Sequence, residues 1–118
     1  MDAFRHVNNA VYLTYLEEVR DEWLAGVLPE EHPVWDYVLA RVAIDFRCEL
    51  VQDDDAVLVR CRLALIGTSS VRTREEIVKV DGTLAAEAES VLVARDLGSG
   101  RPRALTASER AAFEQELA

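Results

Sequence analysis

Residues 1–26 read MDAFRHVNNAVYLTYLEEVRDEWLAG, a short polar run followed at once by an apolar pattern of helical period. Tyr12, Tyr15, Leu16, Val19 and Trp23 recur at i, i+3, i+4, i+7 and i+11, which gathers them on one stripe of a helix over residues 9–25. Asn8 or Asn9 can cap its start, and Gly26 suits the left-handed position past its end. A helix with such a stripe must bury one face, so the polar run HVNN stands at the entrance to a buried element. That placement is the first pointer to chemistry.

What the helix packs against is written in the rest of the chain. After a loop, GVLPEEHP, the residues Val38, Ala40, Val42, Ile44 and Phe46 alternate with Arg41, Asp45 and Arg47, the period of a half-buried strand. The same alternation recurs in AVLVRCRLALI, SVRTREEIVKV and TLAAEAESVLVARD, with VDGT supplying an Asp-Gly hairpin turn between the last two. GSGRPR reads as a loop, and TASERAAFEQEL as a short terminal helix in which Thr106 and Glu109 have the spacing of a capping box. One amphipathic helix followed by several strands joined by short turns gives an α+β class, an antiparallel sheet laid on the helix. With 118 residues the chain is expected to form one domain over 1–118. A single sheet with one helix leaves an open edge and a small core, which favours pairing with a second copy.

Composition excludes several function classes. The net charge of -9 opposes a nucleic-acid groove, since phosphate binding requires a basic footprint. No apolar run reaches the ~18 residues of a membrane span and no signal-peptide pattern precedes the first motif, so the expected partners include no membrane and the expected location is the cytoplasm. Cys48 and Cys61 lie in apolar segments without metal-ligand spacing and read as small buried side chains in a reducing compartment.

The stretch DAFRHVNNAVYLTYLEEVR, followed in order by ARVAIDFRCEL, LIGTSSV, AAEAESVLVARD and GRPRAL, resembles the hotdog-fold acyl-CoA thioesterases of the 4-hydroxybenzoyl-CoA thioesterase group. The group's most specific motif, Asp-x-x-Gly-His-Val-Asn-Asn, stands here as Asp2, Arg5, His6, Val7, Asn8 and Asn9, with Arg5 in place of the glycine. The resemblance implies a sheet wrapped around one long central helix, a homodimer or homotetramer, coenzyme A as part of the substrate, and no metal or redox cofactor. Because a strand precedes the aspartate in that group, it also implies a first strand upstream of Met1.

Thioester hydrolysis needs a nucleophile or base at the carbonyl carbon and donors where negative charge develops on the oxygen. A helix N-terminus offers free N–H groups and the positive end of a dipole. By resemblance, Asp2 attacks the thioester or activates water, and the backbone of Asn9 donates to the oxyanion. Glu17 competes for the carboxylate role, because a related hotdog branch uses a glutamate about two turns into this helix; its plain alternative is an i,i+3 ion pair with Arg20 on a solvated face. His6 serves either as acid or base or as a packing residue. Asn8 and Tyr12 are candidates for contact with the acyl group. Arg47, Arg72, Arg74, Arg101 and Arg103 could form a local cationic patch for coenzyme A phosphates, and Thr68, Ser69 and Ser70 in GTSS correspond to a loop that touches the ligand in similar enzymes. Two rival readings stay open: a hotdog hydratase or dehydratase using His6 and Asn8, and a non-catalytic acyl-binding or assembly subunit.

Overall fold

A computed structural model describes residues 9–30, 32–51, 54 and 56–117. Helix α1 (Asn9–Val27) is followed by a short 3-10 turn (Val34–Asp36), strands β1 (Tyr37–Phe46), β2 (Val57–Ile66), β3 (Ser70–Lys79) and β4 (Leu84–Ala94), and helix α2 (Ala107–Leu117). The strands form one antiparallel sheet in the order β1-β4-β3-β2, so β1 and β2 are its edges among the described residues. The α+β hotdog arrangement expected from the sequence is present.

Helix α1 lies on the inner face of this sheet, and the core divides along its length. Its N-terminal half, through Tyr12 and Leu16, packs with Leu50, Ile77, Ala86 and Ala88. Its C-terminal end, through Leu24, packs with Tyr37, Val71, Leu92 and Phe113. Helix α2 closes that second cluster, with Phe113 fully buried between Trp23 and Tyr37. The capping box at its start forms in both directions: the Glu109 amide donates to Thr106 Oγ1 at 3.1 Å and the Thr106 amide donates to Glu109 Oε1 at 2.8 Å.

Four expectations are corrected. The innermost row of α1 is Tyr12, Leu16, Arg20 and Leu24, with Tyr15, Val19 and Trp23 only half-buried, so the stripe is turned toward the i, i+4 row and carries an arginine inward. Arg20 is 4 % exposed and bonds Glu75 on β3 instead of pairing with Glu17 in solvent. Gly26 lies inside the helix, which runs one residue further, and is not at positive φ; Pro29, which has no N–H to donate, follows the helix end. On β1 the register shifts between Leu39 and Arg41, which changes the parity of the strand. Tyr37 therefore points inward together with Val42 and Ile44, whereas Val38 and Ala40 are exposed. The turn after β3 is as expected: Gly82 adopts φ +93 and the Lys79 amide donates to Thr83 O at 2.8 Å.

Candidate active site

Asn9 opens α1, and no acidic side chain stands in the first turn. From one turn further on, a groove of about 450 Å³ runs between α1 and β1. Leu13, Glu17, Arg20, Asp21 and Leu24 line it from the helix, and Val34, Leu39, Val42 and Leu92 form much of the opposite wall. The walls are largely apolar, the charged groups all come from the middle of the helix, and Tyr37 of β1 also lines the groove. Burial raises the pKa of Asp21, the charge of Glu17 adds to the rise, and Arg20 opposes it.

Asp2, His6 and Asn8 lie outside the described residues. Asn9 is at the helix start, and Glu17 is exposed on the groove, eight residues beyond it, about 12 Å at 1.5 Å per residue. Tyr12 is in the core: its hydroxyl accepts from the Leu50 amide at 2.8 Å and its ring meets Phe46 edge-on at 5.0 Å. Thr68, Ser69 and Ser70 fall at the opposite end of the sheet, because their loop joins Ile66 to Val71 beside the C-terminal end of α1. The backbone there is tied to the chain's last third, Leu105 N donating to Thr68 O and Ala94 N to Ser69 O. One chain does not bring this loop to the start of its own helix.

Most of the arginines expected to form a cationic patch face carboxylates within the chain. Arg47 bonds Glu87 at 2.7 Å, and Arg41, Arg72 and Arg74 converge on Glu89 across the outer face of the sheet. Arg103 is on the other side of the molecule, held by Glu109 and Asp36. The hydrogen bond that Arg47 donates to Glu87 is the main reason its pKa is raised. These arginines are dispersed and already face carboxylates; being largely exposed, those on the sheet gain little from the pairs.

The sequence profile of the Thioesterase-like superfamily matches residues 1–118. The chain belongs to that superfamily. This thioesterase is 27% identical over 121 residues to the long-chain acyl-CoA thioesterase FadM of Escherichia coli (strain K12), a match covering 98% of this chain and 89% of FadM. Among solved structures it is similar to a thioesterase from Thermus thermophilus complexed with coenzyme A and Zn, with 30% identity, a TM-score of 0.85, and coverage of 98% of this chain and 84% of that one. The YbaW structure from Escherichia coli gives 26% identity and a TM-score of 0.79, covering 100% of this chain and 91% of that one. The resemblance to hotdog-fold acyl-CoA thioesterases read from the motif holds, and the chain is an enzyme of that kind.

Two polar clusters of the thioesterase escape the motif reading. In the first, Glu75 Oε1 accepts from Arg20 Nε at 3.1 Å and Thr73 Oγ1 at 2.8 Å, wholly inside the protein. Alternation alone could have found it, since Val71, Thr73, Glu75 and Ile77 share one face of β3 and the outer two are plainly core residues. Burial, then the charge of Glu75, pushes the neighbouring Cys61 thiol up to about 12, which removes it as a nucleophile near neutrality. In the second, Glu109 receives a two-pronged contact from Arg103 at 2.6 and 3.0 Å and a hydrogen bond from the Tyr37 hydroxyl, while His32 stands 3.8 Å from both Asp36 and Glu109. Its members come from separate loops and helices, and no spacing rule connects them. Among the described residues, no three His, Cys, Asp or Glu side chains are grouped so as to hold a metal ion. Among the described residues, no helix is long and apolar enough to cross a membrane.

Proposed function

We propose that this thioesterase hydrolyses acyl-CoA at the N-terminus of α1, with Asp2 as nucleophile or general base and the Asn9 amide as oxyanion donor. The observation that carries this reading is a helix start, the positive end of the helix dipole, that continues into an apolar groove: the first suits a developing oxyanion, the second an acyl chain. The name of FadM, a long-chain acyl-CoA thioesterase, and the coenzyme A bound to the Thermus relative support the substrate class. In the nucleophilic form the carboxylate attacks the carbonyl carbon, coenzyme A leaves as the thiolate, and water cleaves the resulting anhydride to the free acid. In the base form it takes a proton from water, which attacks directly. Carboxylate, water and helix amides supply both the attack and the charge stabilisation, so the reaction as drawn calls for no metal or redox cofactor.

Glu17 is about 12 Å along the axis from Asn9, too far for it to act on the same carbonyl within one chain. We assign it a secondary part, orienting water or ligand, and we place the complete site between two copies. The loop carrying Thr68, Ser69 and Ser70 then meets the helix start of the partner subunit, where it and surface arginines such as Arg47 and Arg72 can contact coenzyme A by exchanging carboxylate partners for phosphate. Cys48 and Cys61 are both free, in keeping with a cytoplasmic enzyme.

Free-thiol release from a panel of acyl-CoAs, measured for the native chain, Asp2→Asn and Glu17→Gln, tests the assignment. We expect Asp2→Asn to lose about 10² to 10⁴ in kcat and Glu17→Gln to lose less. Near-normal turnover by Asp2→Asn with an inactive Glu17→Gln would transfer the role to the glutamate.

A further inference from the structure

The buried pair Arg20–Glu75 has no part in hydrolysis as described above, and its cost asks for a reason. Taking both charges out of water is expensive, and well-packed apolar side chains of similar volume commonly hold a core as well or better. The pair is also incompletely satisfied. Glu75 Oε2 and Ser90 Oγ are buried without a hydrogen-bond partner. Arg20 uses Nε for Glu75, and its two terminal nitrogens have no acceptor among the described residues. Of these groups Arg20 lines the groove directly, Ser90 is paired across the sheet with the groove residue Val42 on one side and with Thr73 on the other, and Glu75 stands behind Arg20, outside the groove lining. A guanidinium with spare donors on the wall of an apolar channel forms a polar subsite that a ligand can complete.

The charges indicate what kind of ligand. Glu75 offsets Arg20, and Glu17 and Asp21 add two further carboxylates at the groove, so an anionic group would be repelled. A neutral hydroxyl fits, because it can accept from the guanidinium and donate to a carboxylate oxygen. Position along the helix fixes where on the acyl group it lies. Arg20 is eleven residues beyond Asn9, about 16 Å at 1.5 Å per residue, and helical side chains lean back toward the N-terminus by up to about a turn. The oxygen therefore lies on the order of 10 Å from a carbonyl held at Asn9, far from the carbons next to the thioester.

We propose that the groove selects acyl groups bearing a neutral hydroxyl distant from the thioester, with Arg20 as the residue that recognises it and Glu75 as the residue that positions Arg20. The inference rests on the acyl-CoA reading given above. It is tested with decanoyl-CoA and terminally hydroxylated decanoyl-CoA, comparing kcat/KM by thiol release, and in parallel with the two free acids, comparing affinity by calorimetry. The expected result is a preference of about tenfold or more for the hydroxylated member in both comparisons, the scale of one hydrogen bond to a charged group. In the double variant Arg20→Met with Glu75→Leu, which removes both charges together and leaves neither unpaired, the ratio should fall to one or below. Arg20→Lys, which keeps Glu75 paired, should reduce the preference without abolishing it. Equal or weaker handling of the hydroxylated member by the native protein overturns the inference without any variant, as does a preference that survives in the double variant. A binding preference with no thiol released from either ester would retain the subsite and overturn the hydrolysis; thiol released equally from both, with equal affinities, would do the reverse.

Discussion

Glu109 shows how one carboxylate can tie together a whole end of the molecule. It completes the capping box of α2, receives Arg103 and accepts from the Tyr37 hydroxyl. Burial by itself would raise its pKa, but the hydrogen bonds from Arg103, the Thr106 amide and Tyr37 outweigh that and hold it down at about 2 from an ordinary 4.5. A carboxyl with a depressed folded-state pKa contributes stability above its unfolded value and loses it as pH falls through the folded one. Thermal midpoints should therefore drop between 4.5 and about 2 on acidification, beyond what the other carboxylates produce. Glu109→Gln should lower the midpoint near neutrality and flatten that drop; an unchanged acid profile in the variant would show that the cluster does not set it. Thr106 and Glu109 were legible as a capping pair from their spacing. The partners from Tyr37 and Arg103 were not, since tertiary contacts between distant segments leave no periodic trace.

At the scale of elements, two glycines separate backbone freedom from helix propensity. Gly82 sits at φ +93 in the β3–β4 turn, and a Cβ there would meet nothing within 4 Å. Gly82→Ala should therefore cost about 1–2 kcal/mol through backbone strain alone. Gly26 is inside α1, also with open space around a Cβ and without a positive φ, so Gly26→Ala should stabilise by about 0.5–1 kcal/mol. Urea denaturation of the two variants checks both signs at once; matching signs would mean that one backbone assignment is wrong. The elements themselves could be read from period and turn chemistry to within a residue or two. The register shifts on β1 and β2 could not, because an inserted residue such as the one near Ala40 carries no composition signal yet reverses which side chains face the core. The inward turn of Arg20 was hidden for a related reason: a charged side chain scores as surface wherever its buried partner lies on a distant strand.

The whole molecule exposes apolar side chains where the groove opens. Leu13 is 45% exposed and Leu39 46%, with Trp35 at 68% nearby in sequence. Together with an edge strand, and with the loop proposed to contact the ligand lying at the far end from the helix start, this favours a second copy covering the groove. Sedimentation at micromolar concentration should give a dimer or larger assembly, and specific activity should fall on dilution in step with the loss of that species. A fully active monomer would place the complete site within one chain.

The second polar cluster also dictates an order of assembly during synthesis. Tyr37 and Glu109 are 72 residues apart and His32 and Thr106 are 74 apart, so α2 is fastened to a segment made long before it. Until α2 has been made, Trp23, Tyr37 and the inner faces of β2 and β4 have no lid, and α1 can cover only part of the sheet. The chain thus emerges with its second hydrophobic cluster open and closes it only once Phe113 has been made and docks, and over that interval the nascent protein is exposed to aggregation.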